Sequence, residues 1–386
     1  MRSNVRKMFD GLYMKTETTY RAVQTRKDAK HIVKNMGRVS DELMETYKKE
    51  VLPYWKTYNE KPPVYWFQLF SRDGIHTDAK YIPEDLWYGT ILPYYSNMFF
   101  RRSYEDKCMH HMLFPNVCRP RTIVKNVAGQ FYTDKLELLT PNQALNLSGN
   151  EQSFIIKPSV DSGTGRLIKF YDKNKNSKDD IKKMFTELKA NYVVQEIVQQ
   201  HPVLGSLHES SLNTVRILSF FFEGEVYILS AIVRMGAGNA RVDNVSSGGM
   251  QCGIDVATGQ CHTLACTKKR DWVKKSPDGA VFAETQIPAF DKIISIVKEE
   301  HSKLPHFRLI GWDFSVTPDE EPVFIEYNVC PGANQMTCGP TFGDLTDRVL
   351  EDVLIKKKLD IYSELNNEER TMGYIKKLKR NAQYNS

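Results

Sequence analysis

The sequence predicts an α+β chain in which paired strands carry the chemistry and helices flank them. Three observations predict it. Apolar runs come in pairs split by turn residues, at 153–168, 211–234 and 309–332. The first 58 residues read as helical and basic, with Arg2, Arg6, Lys7, Lys15, Arg21 and Arg26 among few acids. Phe290 to His301 places Phe290, Ile293, Ile294, Ile296 and Val297 on one helical face.

Length and composition bound the rest. At 386 residues the chain is long enough for two or three lobes around a large buried core. It is 41% hydrophobic and 26% charged, the balance of an ordinary globular protein. The net charge of +6 suits an anionic small molecule and does not demand nucleic acid, since neither zinc-finger spacing nor an aromatic–basic RNA motif occurs. Seven cysteines at irregular spacing, with no C-x-x-C pair, argue for reduced thiols in the cytoplasm. The N-terminus leads into no apolar stretch of signal-peptide type, and the run from Ile217 to Val233 is broken by Glu223-Gly224-Glu225, so no membrane span is expected.

Taken in order, Ser40 reads as a helix N-cap with Asp41 and Glu42 in the first turn. Tyr104 to Leu113 reads as a helix and Arg119 to Val124 as a strand. Ser153 to Pro158 is a strand ending in Lys157, followed by a loop of small residues from Ser159 to Gly165. Glycines and hydroxyls let backbone N–H groups approach phosphate oxygens, and a strand lysine adds a point charge. A plain β-turn is the structural alternative. The stretch is neither a Walker loop nor a dinucleotide fingerprint, because no G-K-[ST] follows and no helix opens there.

Tyr192 to Val198 reads as a short strand whose Gln195 and Glu196 face either a purine and its ribose or simply a strand end. The pair of runs around the Glu223-Gly224 turn reads as a hairpin with Arg216 and Arg234 near its outer ends, where arginine can fork onto phosphate or carboxylate. Arg241 to Gly249, including Asp243 and Asn244, is a glycine- and serine-rich loop of the kind that carries binding sites. In the last pair, strand alternation puts Glu326 and Asn328 on one face with Tyr327 opposite, and a neighbouring strand brings Asp313 beside them. Two carboxylates and an amide oxygen make an all-oxygen set suited to Mg²⁺. The competing reading has Asp313 ending a strand and Asn328 capping a turn.

A strand lysine with a glycine loop, a Gln-Glu strand, an arginine hairpin, then Asp and Glu-x-Asn, in that order, resembles the ATP-grasp superfamily over roughly residues 100 to 350. Asn213-Thr214-Val215-Arg216, Arg234-x-Gly236, Val242-Asp243-Asn244-x-x-x-Gly248-Gly249 and Ile310-Gly311-Trp312-Asp313 resemble its sugar-transfer-associated branch, which goes with polysaccharide biosynthesis. The resemblance implies an α+β ATP-grasp fold holding the nucleotide between two subdomains. It divides the chain into a basic helical region at 1–80, an α/β lobe at 81–150, a small subdomain at 151–200, a large subdomain with the metal site at 201–350 and a basic helical tail at 351–386.

Roles follow from the resemblance. Lys107 and Lys157 contact phosphates, and Ser159, Ser162, Gly163 and Gly165 belong to the loop that covers them. Gln195, Glu196 and Ile197 line the adenine and ribose pocket. Asp313, Glu326 and Asn328 hold two Mg²⁺ ions, with Mn²⁺ as a substitute. Asn213, Thr214, Arg241, Asp243 and Asn244 bind substrate. The turn Asn328-Val329-Cys330-Pro331-Gly332 is similar to one in D-alanine–D-alanine ligases whose glycine N–H helps hold an oxyanion. Those ligases carry an arginine two residues before the first metal aspartate; here that position is Gly311. Arg216 is the favoured replacement, with Arg234 and Arg241 as alternatives.

The implied activity is a carboxylate–amine ligase using ATP and an acylphosphate. A uronic acid, free or nucleotide-linked, is the candidate acid and an amino acid the candidate amine. The alternatives are an ATP-grasp kinase acting on a hydroxyl and a non-catalytic nucleotide-binding module of a polysaccharide assembly. The oligomeric state is not legible in the sequence.

Overall fold

Strand alternation and capping residues account for the first of two sheets. The computed structural model describes residues 2–160, 167–243 and 248–356. Strands β1 (Thr122–Val127), β2 (Gln130–Tyr132), β3 (Leu138–Leu139), β4 (Ser153–Pro158), β5 (Lys169–Asp172) and β6 (Tyr192–Gln195) form an antiparallel sheet. Its order is β3-β2-β1-β6-β4-β5. Alternation in β4 sends Phe154 and Ile156 to one face and Ile155 and Lys157 to the other. Phe154 and Ile156 join Val124, Tyr171, Ile181 and Val194 in a core beneath helices Pro141–Asn150 and Lys178–Leu188. Both helices start at a capping box, Thr140 with Gln143 and Ser177 with Asp180.

The larger sheet comprises β7 (Thr214–Phe222), β8 (Glu225–Met235), β9 (Met250–Ile254), β10 (Cys261–Thr267), β11 (Trp272–Val273), β12 (Leu309–Val316) and β13 (Pro322–Asn328). It is ordered β11-β10-β9-β8-β7-β12-β13. The β7–β8 hairpin turns as expected at Glu223 and Gly224, both with positive φ (52° and 94°), the signature of a tight two-residue turn. On one face, Val215, Ile217, Ile310, Trp312 and Phe324 pack against the amphipathic helix Phe290–Glu300 through Phe290, Ile293 and Val297.

The opposite face is shared. Leu218, Phe220, Phe222 and Leu309 pack into a second core with Trp55, Trp66, Trp87 and Tyr95 from the helical region, which opens with α1 (Arg2–Met36). Ser40 caps the next helix as the sequence predicts, its Oγ accepting the Leu43 N–H at 3.2 Å. The helical part runs on through Leu113, past residue 80 where the sequence reading draws a boundary. The helix expected over Tyr104–Leu113 is instead two short pieces, Arg101–Tyr104 and His110–Leu113. Asp106 breaks it: its Oδ1 accepts the Cys108 N–H at 2.9 Å, a local bond that competes with the helix. The break frees the Lys107 N–H to donate to the Ser159 carbonyl at 3.0 Å, which brings Lys107 to the small sheet. Among the described residues no helix is long and apolar enough to cross a membrane. The basic tail beyond residue 356 lies outside the described residues.

Candidate active site

Register on the large sheet assembles a rank of charge. Arg216 on β7 lies opposite Asp313 on β12, and Asp313 lies opposite Glu326 on β13; Arg234 on β8 lies opposite Thr214. Neighbouring strands are about 4.8 Å apart, so side chains on one face of this rank touch. Asp313 is fully buried. Its Oδ1 accepts the Arg216 Nε at 2.7 Å, and its Oδ2 accepts Arg216 Nη2 at 2.6 Å and Arg234 Nη2 at 3.2 Å. The Arg216 pair is a two-pronged guanidinium–carboxylate contact. Arg234 also reaches Asp243 at 3.2 Å and Thr214 Oγ1 at 2.9 Å, while the Thr214 hydroxyl donates to Asp243. Burial raises the Asp243 carboxyl above its ordinary value, and Arg234 opposes that rise.

A bulge aims Glu326. Strict alternation from Phe324 would put Glu326 on the core face beside it. The register slips between Asp313–Glu326 and Phe314–Phe324, leaving Ile325 as the extra residue. Phe324 and Tyr327 therefore both reach the core, while Ile325, Glu326 and Asn328 line the cleft.

The small sheet supplies the opposing charge. Lys107 Nζ lies 2.9 Å from Glu326 Oε2. Lys157 is 6% exposed, and burial together with the charge of Lys107 draws its ammonium down to about 8. Burial alone would raise the Glu326 carboxyl, but Lys107 and Lys157 outweigh it and hold the group ionised below the usual range. Ile155, Ile168 and Phe170 line the same cleft, with the Arg241 guanidinium 3.5 Å from the Phe170 ring centroid. The cleft encloses about 490 Å³.

Lys157, Glu196, Ile197, Thr214, Arg216, Arg234, Arg241, Asp243, Asp313, Glu326 and Asn328 thus line one cavity. Other expected residues sit elsewhere. The Asn213 amide is consumed in holding its own loop, donating to the carbonyls of Leu204 at 2.7 Å and His208 at 2.8 Å and accepting from Ser211 Oγ at 2.7 Å. Ser159 is buried behind β4, its N–H bonded to the Asn191 carbonyl at 2.8 Å. Gln195 belongs to an adjoining crevice with Lys107 and His110, because β6 lies between β1 and β4 and its side chain turns toward Thr122. Glu196 does line the cleft, but it spends its carboxylate on Arg121, accepting the backbone N–H at 2.9 Å. Gly332 follows Pro331, whose carbonyl accepts Trp87 Nε1 at 2.9 Å, and is not among the residues lining the cleft. Ser162, Gly163, Gly165 and Asn244 lie outside the described residues. Sequence reading passed over Ile155 and Phe170; the signal was available, since Ile155 is two residues from Lys157 and pairs with Phe170.

Gly311 explains its own identity. A Cβ there would meet the Pro331 ring at 2.9 Å, and the Arg216 side chain passes 3.8 Å away. An arginine at 311 would collide with the turn, while Arg216 brings a guanidinium from the adjacent strand to the same aspartate.

Asp313, Glu326 and Asn328 offer oxygen donors of the kind a hard divalent cation takes, while the Asp313 carboxylate accepts from Arg216 and Arg234 and Glu326 pairs with Lys107. Among the described residues no group of three or more His, Cys, Asp or Glu side chains is arranged to hold a metal ion, so a site here would need the Asn328 amide beside Asp313 and Glu326. Asn328 lines the cleft and its Nδ2 is buried without a partner; turned about its axis, the amide presents its oxygen instead.

This fold, with its cleft between two antiparallel sheets, defines the class of protein. The chain belongs to the sugar-transfer associated ATP-grasp family, whose model matches residues 120–349. No curated protein matches it. Among solved structures it is similar to an L-amino acid ligase from Bacillus licheniformis, at 14% identity and a TM-score of 0.36, covering 67% of this chain and 49% of that one. It is also similar to biotin carboxylase from Campylobacter jejuni, at 10% identity and a TM-score of 0.41, covering 66% of this chain and 46% of that one. D-alanyl-alanine synthetase A from Vibrio cholerae shows 12% identity and a TM-score of 0.40, covering 66% of this chain and 66% of that one. The chain spans about half the length of the first two.

Proposed function

We propose that the protein is an ATP-dependent ligase that joins a carboxylate to an amine through an acylphosphate. The observation that supports this most is the rank Arg234–Arg216–Asp313–Glu326 on the large sheet, facing Lys157 across the cleft. Lys107, in a loop, and Lys157, near the end of β4, would bind the nucleotide's phosphates as point charges. Asp313, Glu326 and Asn328 would hold Mg²⁺, which supplies charge neutralisation during phosphoryl transfer. Arg216, pinned by Asp313, presents its remaining N–H groups to a substrate carboxylate without having to reorganise. Arg241 and Phe170 narrow the cleft against water, which would hydrolyse an acylphosphate.

The family's association with sugar transfer makes a uronic acid, free or nucleotide-linked, the candidate acid and an amino acid the candidate amine. The test is ADP and phosphate release with a uronic-acid panel, using hydroxylamine as a surrogate amine that traps an acylphosphate as a hydroxamate. Hydroxamate should form with wild type and fall by about 100-fold or more in Glu326→Gln. ADP released steadily without any hydroxamate would overturn the ligase and favour transfer to a hydroxyl.

A further inference from the structure

Two stretches that tie the sequence to its branch, Asn213-Thr214-Val215-Arg216 and Arg234-x-Gly236, meet at His208. The residue is 2% exposed and both ring nitrogens are engaged: Nδ1 lies 2.8 Å from Ser211 Oγ and Nε2 lies 2.9 Å from the Gly238 carbonyl. Ser211 Oγ in turn lies 2.7 Å from Asn213 Oδ1 and accepts the Gly236 N–H at 3.0 Å. Glycine suits position 236, since a Cβ there would stand 2.9 Å from both His208 Nδ1 and Ser211 Oγ.

The supply of protons decides the state of this network. A carbonyl only accepts, so the Nε2 facing Gly238 carries a hydrogen. The Asn213 amide gives its N–H groups to the Leu204 and His208 carbonyls, so its Oδ1 is an acceptor and the Ser211 hydroxyl donates to it. That hydroxyl has a single hydrogen, so Nδ1 must itself donate to Oγ. Both ring nitrogens then carry protons, and His208 is an imidazolium. A neutral ring would leave two acceptors facing each other in a buried cluster. The charged groups on the surrounding elements are Glu209 beside it, Asp278, which accepts the Glu209 N–H at 2.7 Å, and Arg234, Arg241 and Asp243 on β8 and the loop that follows. Among the described residues none of them bonds the ring.

The ring links two walls of the cleft. Ser211 lines it from one loop, and Arg241, Val242 and Asp243 line it from the other. Among the described residues, the His208–Gly238 bond is the one hydrogen bond from residues 237–240 to another element. We propose that His208 is a positioning residue: as an imidazolium it clamps the 236–243 loop to the 204–213 loop, and so holds Arg241 against Phe170 and Asp243 beside Arg234. Its part in catalysis rests on the ligase reading above. With the clamp loose, water reaches the acylphosphate. The water oxygen bonds to the acyl carbon, phosphate leaves with the acyl C–O electron pair, and a proton passes to solvent.

The test begins with NMR of ¹⁵N-labelled histidine, the His208 signals being those lost in His208→Asn and His208→Gln. Both ring nitrogens should carry protons at about pH 6; a neutral ring there would overturn the proposal. Asn reproduces only the Nδ1–H and Gln only the Nε2–H, so each variant removes one arm of the clamp. At that pH each should speed hydrogen exchange across 236–243 by about tenfold, the weight of one charge-assisted bond, while helix Phe290–Glu300 keeps its protection and so reports folding. The wild-type advantage should vanish at the pH where NMR shows the second proton gone. Unchanged exchange in both variants, or an advantage that outlasts the proton, would each overturn the clamp. Hydroxamate formed per phosphate released should fall severalfold in both variants, and an unchanged ratio would overturn the role in positioning. Absence of hydroxamate from wild type would instead sink the ligase reading, with the NMR and exchange results still deciding the clamp.

Discussion

One face of β7 meets two environments. At Thr214 and Arg216 it opens on the cleft and every side chain carries charge or a hydroxyl; at Leu218, Phe220 and Phe222 it disappears beneath Trp87, Tyr95 and Phe342. β12 repeats the division, with Asp313 in the cleft and Leu309 under the helices. The helical region is thus the cover of the half-face that cannot be left wet. The cleft is the half-face left uncovered. The two halves use different physics, and that difference can be attacked from either end.

The largest effect should come from the polar half. Asp313→Asn leaves Arg216 and Arg234 buried without their shared counter-charge, which costs about 3–5 kcal/mol. Urea denaturation should show that loss, and phosphate release should vanish with it. The double variant Arg216→Met, Asp313→Leu should recover most of the stability and none of the activity, because a packed apolar pair replaces a buried ion pair at little cost. If the double variant stayed as unstable as Asp313→Asn, packing rather than charge would be what Asp313 contributes.

The apolar half comes next. Leu218→Ala, at a fully buried position, should cost about 3 kcal/mol in the same denaturation. The KM for ATP in the folded enzyme should stay at its wild-type value, since the lost contact lies under the helices. A rise in that KM matching the stability loss would show that cover and cleft move together.

What the sequence made legible follows the same division. Asp313, Glu326 and Asn328 could be grouped because strand alternation and register are local rules. The bulge at Ile325 was not readable: Phe324, Glu326 and Asn328 are each two apart, and only the paired strand shows where the register slips. Asn213 looked like a substrate ligand because its amide's partners, Leu204 and His208, lie in a loop with no periodic signature. The cover was least visible. Gln335 clasps Ile82 by two bonds of 2.7 Å across 253 residues, and nothing in either segment announces the other. Helical composition in the first 58 residues was plain; the face it serves was set by Phe220 and Leu309, far along the chain.

The smallest effect tests Lys157, the small sheet's contribution to the polar half. Its ammonium titrates near 8 because burial and Lys107 both disfavour the charge. A polyphosphate arriving beside it favours the charged form, so binding takes up a proton once the pH exceeds that value. Affinity for AMPPNP with Mg²⁺ should therefore be flat below about pH 8 and fall by up to about tenfold per unit above it, one proton being linked to binding. Titration calorimetry across pH 7 to 10 reads this directly (about 1.4 kcal/mol per unit at most). Lys157→Arg removes the titrating proton while keeping a cation on β4, so its affinity should not follow that slope. The same fall in both proteins would assign the proton to another group and leave Lys157 as a buried spacer between the sheets.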